Sequence, residues 1–381
     1  MAGPDGRKGL GSKGTSARAP SALGVNRSRR ASEGSHPSGL TGLRLVRTTF
    51  WETPGSAVPG NEVDALDFAI YRYLSPEGEA RFWAGRRVVD PRVTAREIGE
   101  RVGISENGVR SRLRNLTKRG FLRGTAVSPN PSLFGVRTQV AKLPVKEPGD
   151  VKRIFRDLAL VDGVIFARDT LDEDERTVQA YFVSDTPRTM NRRAALLRRL
   201  SPTGELTEPT PYWIPSCERS LSPLDWRMLQ TVRLHPDSSI AKIAEAQRIS
   251  LKTAARHYHE LIEARACWWT LGPDSEEFPL ALISVQLAGS AQRDAVVGEI
   301  LREGPGWMPV SGDGLGLEPT RASAIVAGLV PIEAPTILER TVARISELRG
   351  VARVRRTFAL GSMTYPDWFT ERIADRVPAR P

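Results

Sequence analysis

Apolar residues recur at helical spacing in two separated stretches of the chain. Val109, Leu113 and Leu116 fall at i, i+4 and i+7, and so do Ala254, Tyr258 and Leu261. That spacing places each set on one face of a helix. A serine able to cap the helix precedes each rail, Ser105 or Ser250, and a tight break precedes the serine, Gly103-Ile104 or Arg248-Ile249. A shorter helix is predicted before each break. Thr94 with Glu97 forms a capping box for the first, which packs through Ile98 and Val102; Ser239 opens the second, where Ile243 matches Ile98. Each stretch starts with one more helix, announced by Asp64 with Asp67 or by Ser222, Pro223 and Asp225. Three helices with a tight turn before the last predict a helix-turn-helix, written twice.

The pattern after each helical unit changes to strands. The first series reads as a strand (Thr138 to Leu143), a helix (Gly149 to Leu160), two strands around an acidic turn (Gly163 to Arg168 and Thr177 to Ser184), a helix (Arg188 to Leu200) and a short strand. The second reads Leu280 to Leu287, Ala291 to Arg302, Trp307 to Ser311, Ala322 to Leu329, Ala334 to Leu348 and Val351 to Phe358. The order β-α-β-β-α-β is that of a ferredoxin-like sandwich. The halves align at an offset of 158 for the first helix and 145 for the turn, so the first copy carries an insertion of 13 residues within 75–92. The expected fold class is α+β: two winged helix-turn-helix heads alternating with two ferredoxin-like βαββαβ sandwich modules, after a disordered N-terminal tail. The expected divisions are a tail at 1–60, a helix-turn-helix at 61–135, an α+β module at 136–216, a degenerate helix-turn-helix at 217–275, a second α+β module at 276–365 and a C-terminal tail at 366–381.

Composition narrows the class. Hydrophobic residues are 40% of the 381, enough for ordinary cores. The apolar run from Ala322 to Ile332 is far short of the ~20 residues of a membrane span. The first residues lack the apolar core of a secretory signal. Cys217 and Cys267 are too few for a disulfide framework and are not spaced as a metal pair. A cytoplasmic protein is expected. The net charge of +11 invites a polyanionic partner, and residues 1–50 hold +7 of it in a Gly-, Ser- and Pro-rich stretch without hydrophobic period.

The first copy resembles the Lrp/AsnC family of bacterial and archaeal transcription regulators. The likeness rests on Val63-Asp64-Ala65-Leu66-Asp67, on Ile98 through Ser105, and on Val109, Arg112-Leu113 and Leu116. Its strongest parts are Gly120-Phe121-Leu122-Arg123-Gly124 and Pro131-Ser132-Leu133-Phe134-Gly135. The likeness is most specific over 63–145 and continues in register, more weakly, from 221 to 365. It implies a DNA-binding head joined to a small effector-sensing and oligomerising domain, with a homo-oligomer expected. Tandem duplication departs from the family's single unit and implies that the two copies pair within one chain.

Charge distinguishes the two heads. Residues 106–123 contain Arg110, Arg112, Arg114, Lys118, Arg119 and Arg123 against Glu106, whereas 251–268 contain Lys252, Arg256 and Arg265 against Glu260 and Glu263. Phosphate neutralisation dominates affinity for nucleic acid, so the first head is the expected reader of double-stranded DNA. At the start of its third helix, Ser105 caps, and Glu106, Asn107, Arg110 and Ser111 lie off the apolar rail as candidates for base edges. Arg114, Lys118, Arg119 and Arg123 are expected on the phosphate backbone, and Gly108 leaves the outer face without a side chain. The second head is expected to have a structural or pairing role. The basic and aromatic insertion (Arg81, Phe82, Trp83, Arg86, Arg87, Arg92) is expected to pack over the head.

Other chemistry is sparse. The acidic run Asp169 to Glu175 lacks the ligand spacing of a calcium loop and reads as a solvated turn. His257 and His259, at i and i+2, point apart on a helix. No cofactor and no metal are expected. Siroheme decarboxylases are similar in architecture, and that resemblance implies histidine in the α+β cleft. The four histidines, His36, His235, His257 and His259, lie in the tail and the second head, which leaves the enzymatic reading and that of a non-binding scaffold as alternatives. Val310-Ser311-Gly312-Asp313-Gly314 resembles the Lrp/AsnC family's glycine-containing turn between the inner strands. That resemblance implies Ser311, Gly312 and Asp313 as an effector site for an anionic group such as the carboxylate of an amino acid; an ordinary hairpin turn is the alternative.

Overall fold

A computed structural model describes residues 63–74, 81–83, 86–119, 121–172, 175–272, 280–288, 296–298, 308–310, 325–331 and 335–377. All of them belong to the larger of two compact units, Leu43–Pro381. The expected N-terminal tail lies outside the described residues.

The first head is built from α1 (Ala65–Arg72), a hairpin of β1 (Arg81–Trp83) and β2 (Arg86–Val89), α2 (Ala95–Val102), α3 (Glu106–Lys118) and β3 (Arg123–Pro129). Side chains fix the helix starts. Asp64 and Asp67 form a reciprocal box at α1, Thr94 and Glu97 form another at α2, and Ser105 Oγ accepts from the Gly108 amide at 3.1 Å. Gly103 (φ 76°) closes α2 in the left-handed region. A Cβ on Gly99 would stand 2.5 Å from the Ile104 carbonyl oxygen, so α2 meets the turn at backbone distance. Val109 and Leu116 of the rail are fully buried, against Ile70 and Ile98 on one side and Phe68, Tyr71 and Phe121 on the other. Each such side chain contributes about 1.5–3 kcal/mol on burial, which makes this rail the main support of α3. The insertion adds its two strands to a sheet, and Arg87 is fully buried.

A short 3₁₀ turn (Pro131–Phe134) leads into β4 (Arg137–Pro144), α4 (Pro148–Leu158), β5 (Val164–Leu171), β6 (Arg176–Ser184), α5 (Pro187–Leu200) and β7 (Thr210–Tyr212). The second head follows as α6 (Pro223–Leu234), α7 (Ile240–Gln247) and α8 (Leu251–Glu263), with Ala254, Tyr258 and Leu261 all buried. Then come β8 (Cys267–Gly272), β9 (Leu280–Leu287), β10 (Met308–Val310), β11 (Ile325–Pro331), α9 (Pro335–Glu347), β12 (Val351–Thr364) and α10 (Asp367–Ala374). Between β9 and β10, residues 296–298 are helical.

Two sheets organise these strands. One has the order β1-β2-β8-β3, so a strand of the second head lies between two strands of the first. Val89 and Val127 both register with Trp269 across β8, and Trp269 is buried. The expectation of one wing per head is corrected here: the four strands form a single sheet. The other sheet has the order β10-β11-β9-β12-β5-β6-β4-β7. Within it β12 runs to Thr364, six residues beyond the expected Phe358, because those residues pair with β5. The two strand series thus meet through unlike edges, head to tail. One face of this sheet packs on α4 and α5 through Ile154, Leu158 and Leu197. On the other, Ile165, Phe166, Tyr181 and Val183 meet Trp368 and Phe369 of α10 together with Val88 and Trp268 of the smaller sheet.

Two further expectations change. Residues 366–381 are not simply a tail, because Trp368, Phe369 and Ile373 are buried and hold α10 in place. The acidic run is not wholly a solvated turn: β5 continues to Leu171, and Asp169 is buried, with both carboxylate oxygens bonded by Arg176 at 3.0 and 2.6 Å.

The turn of the second head closes on Arg248 at φ 55°, where the first has Gly103. A side chain in this region costs roughly 1 kcal/mol relative to glycine. Arg248 is exposed. Arg248→Gly is therefore expected to stabilise the protein by about 0.5–1 kcal/mol, measured by urea denaturation, with no change in the slope of the transition.

Candidate nucleic-acid interface

The exposed face of α3 presents Glu106, Asn107, Arg110, Ser111, Arg114 and Lys118 together, with Ser105 at its start. Ser105 is engaged by the cap. Glu106 Oε1 accepts from Arg110 Nε at 2.9 Å and from Nη2 at 2.6 Å. An exposed i,i+4 pair of this kind contributes only about 0.3–0.5 kcal/mol, so a base edge could displace it cheaply. Gly108 is half-buried, and a Cβ there would meet Ile104 and Ser105 at 3.4 Å, a close but ordinary contact.

Of the six basic side chains counted in this segment, Arg112 and Arg119 do not stand fully exposed on that face. Arg112 Nη1 bonds Asp64 Oδ2 at 2.7 Å and Asp67 Oδ1 at 2.8 Å, tying α3 to α1. Burial raises the Asp67 carboxyl above its usual value, although the Arg112 hydrogen bond opposes the rise. Arg119 is half-buried, with Nε and Nη2 screened from solvent and without hydrogen-bond partners among the described residues. Arg119, expected on the phosphate backbone, is thus only partly exposed. Arg123 opens β3, and its side chain lies outside the described residues. Arg110, Arg114 and Lys118 remain as exposed cations. Arg114 and Lys118 have no ion pair among the described residues.

The second head uses the same framework differently. His257 occupies the place of Arg112 and Asp225 that of Asp67; His257 Nδ1 lies 2.7 Å from Asp225 Oδ1, and Asp225 is fully buried. Arg219, from the segment before α6, bonds Asp225 at 2.5 Å and Glu260 at 2.9 Å. Asp225, His257 and Glu260 bring one ligand atom each within 4.8 Å of one another, a metal-like spacing. The guanidinium already supplies the positive charge there, so the cluster reads as a structural ion pair. Arg256 leans on Glu260 at 3.8 Å, and Arg92 of the first head reaches Glu263 at 3.5 Å. The residues Ser311, Gly312 and Asp313 lie outside the described residues.

This geometry, an exposed helix set behind a tight turn and followed by a sheet, defines a winged helix-turn-helix protein. Residues 88–123 match the family described as winged helix-turn-helix DNA-binding. The chain is similar to the HTH-type transcriptional regulator Ptr1 of Methanocaldococcus jannaschii, 28% identical over 111 residues, which are 29% of this chain and 66% of the relative. It is similar also to the uncharacterized HTH-type transcriptional regulator PH0140 of Pyrococcus horikoshii, 31% identical over 98 residues, 26% of this chain and 54% of the relative. The chain thus spans between half and two thirds of these relatives. Among solved structures, the siroheme decarboxylase NirDL aligns over 82% of this chain and 98% of its own at 10% identity and a TM-score of 0.43. The AsnC of E. coli aligns over 42% of this chain and 97% of its own at 14% identity and a TM-score of 0.28. At these scores neither likeness defines a shared activity. No described helix is long and apolar enough to cross a membrane.

The Asp225 cluster sets a pH dependence. Burial alone would raise its carboxyl, but hydrogen bonds from Ser222, His257 and Arg219 outweigh burial and hold it below the usual carboxylate range. A depressed folded value means that the cluster stabilises the protein above the ordinary carboxylate pKa of about 3.9 and that this is lost as pH falls through the folded value. Stability of Asp225→Asn is expected to change less than that of the parent between about pH 5 and 2, measured by chemical denaturation across that window.

Proposed function

We propose that this chain is a transcription regulator of the Lrp/AsnC type whose first helix-turn-helix binds double-stranded DNA. The reading gives α3 the major groove, with Glu106, Asn107, Arg110 and Ser111 at base edges and Arg114 and Lys118 on phosphates. The observation that carries it is the contrast between two like helices. At the places that match the exposed Arg110, Arg114 and Lys118 of α3, α8 carries Ala255, His259 and Glu263. Each cation that neutralises a phosphate releases counterions from DNA, so the helix with more exposed cations is the better reader.

The reading divides the chain into a tail at 1–60, a DNA-binding head at 61–135, an α+β module at 136–216, a second, degenerate head at 217–275, a second α+β module at 276–365 and a closing segment at 366–381. Its two head-plus-module units are a tandem of one ancestral unit. The α+β modules assemble the chain into a homo-oligomer and sense a small effector such as an amino acid, with Ser311, Gly312 and Asp313 as the effector turn. The protein acts in the cytoplasm and has no catalytic role. Against a siroheme decarboxylase-like activity stands the absence of histidine from 136–216 and 276–365.

Selection of bound fragments from genomic DNA supplies the duplex for the test. Arg110→Ala is expected to relax preference among related sequences by about 1–3 kcal/mol of discrimination. Lys118→Ala is expected to weaken all duplexes alike and to reduce the salt slope by about one. Fluorescence anisotropy at several salt concentrations reads both; unchanged binding in both variants contradicts the assignment to α3.

A further inference from the structure

The strand β3, the middle of β5, the end of α6 and the segment from β12 into α10 enclose a cavity of about 390 Å³. Small-molecule sites span roughly 300–1,000 Å³, so the volume suits a compact ligand. Much of the wall is apolar, from Val127, Ile165, Phe166, Leu234, Tyr365 and Phe369. One cation lines it, Arg233, with its guanidinium 5.6 Å from the centre of the Phe369 ring.

The partners of Arg233 are neutral. Nη2 donates to the Pro366 carbonyl at 2.6 Å and to Thr370 Oγ1 at 3.1 Å, and Nη1 donates to the Val127 carbonyl at 3.4 Å. Among the described residues no carboxylate lies within ion-pair distance of it, although Asp367 acts on it from farther away. Burial lowers its pKa to about 10, as desolvation of a cation requires. A half-buried charge without a counter-ion, against an apolar wall, favours an anion that brings its own apolar body. A single guanidinium matches one negative charge; a dianion would leave its second charge uncompensated against an apolar wall.

We propose that this cavity binds a small amphipathic monocarboxylate, with its carboxylate on Arg233 and its hydrocarbon body against Phe166, Tyr365 and Phe369. The site is separate from the exposed face of α3. Binding is read on the free protein, so the inference does not depend on DNA recognition.

Isothermal titration of the full chain at neutral pH with 4-phenylbutyrate and with octanoate, each against its neutral amide, tests it. At least one acid is expected to bind at one per chain and about tenfold or more tightly than its amide, as a charge-assisted hydrogen bond requires. Arg233→Met is expected to abolish the difference between acid and amide. Because Arg233 also ties α6 to α10, a second variant guards the test. Leu234 is 59% exposed at the rim, and Leu234→Trp adds bulk there without touching the core; it is expected to weaken acid binding about tenfold or more. The inference is overturned if neither acid binds better than its amide, or if the folded Leu234→Trp variant binds the acid as the parent does.

Discussion

The placement of β8 between β2 and β3 constrains the rest of the molecule. A strand of the second head completes the sheet of the first, so the two heads cannot separate without breaking backbone pairing on both sides of β8. Each backbone hydrogen bond contributes about 0.5–1.5 kcal/mol net, and Trp269 adds the burial of a large ring. Asn130 reinforces the junction: its Nδ2 donates to the carbonyls of Pro215 and Arg265, both at 2.8 Å, from a fully buried side chain. The distance and angle between α3 and α8 are thereby set by the sheet. The exposed face of α3 is carried on this sheet-bound frame.

Within this frame the two heads keep one architectural bond and change its chemistry. Arg112 with Asp64 and Asp67 joins α3 to α1; His257 with Asp225 joins α8 to α6 at the matching positions. In the first head the clamp uses one arginine and leaves Arg110, Arg114 and Lys118 on the outer face. In the second, Arg219 and Glu260 enlarge the cluster, and Arg256 is drawn toward it. The second head thus keeps the helical framework of the first with more of its charge held in internal pairs. Arg248 holds, at φ 55°, the left-handed conformation that Gly103 holds in the first head.

The local features were legible in the sequence. Caps at Asp64, Thr94, Ser105, Ser222, Ser239 and Ser250 mark helix starts because their hydrogen bonds close within three residues. The rails of α3 and α8 follow from helical period alone. What escaped depends on distant partners. Arg112 adds to the charge count of the first head although it is held internally, because Asp64 and Asp67 lie 48 and 45 residues away. Arg233 attracted no notice, since its surroundings come from β3, β5 and α10, brought together only by the fold. The shared sheet has no local signature either: β8 reads as a strand, but nothing in Cys267–Gly272 announces its neighbours. The closing helix reads as a tail because eight residues offer little periodicity, while Trp368 and Phe369 find their burial against β5 and β6.

The division of labour between the heads is tested most directly by removing the exposed cations of each recognition helix in turn. Arg114→Ala with Lys118→Ala is compared with Lys252→Ala with Arg256→Ala on one selected duplex, by fluorescence anisotropy at fixed salt. The first pair is expected to lose affinity by roughly tenfold or more, while the second stays within about threefold of the parent. Equal losses from the two pairs, or a larger loss from the second, would contradict the assignment of DNA reading to the first head.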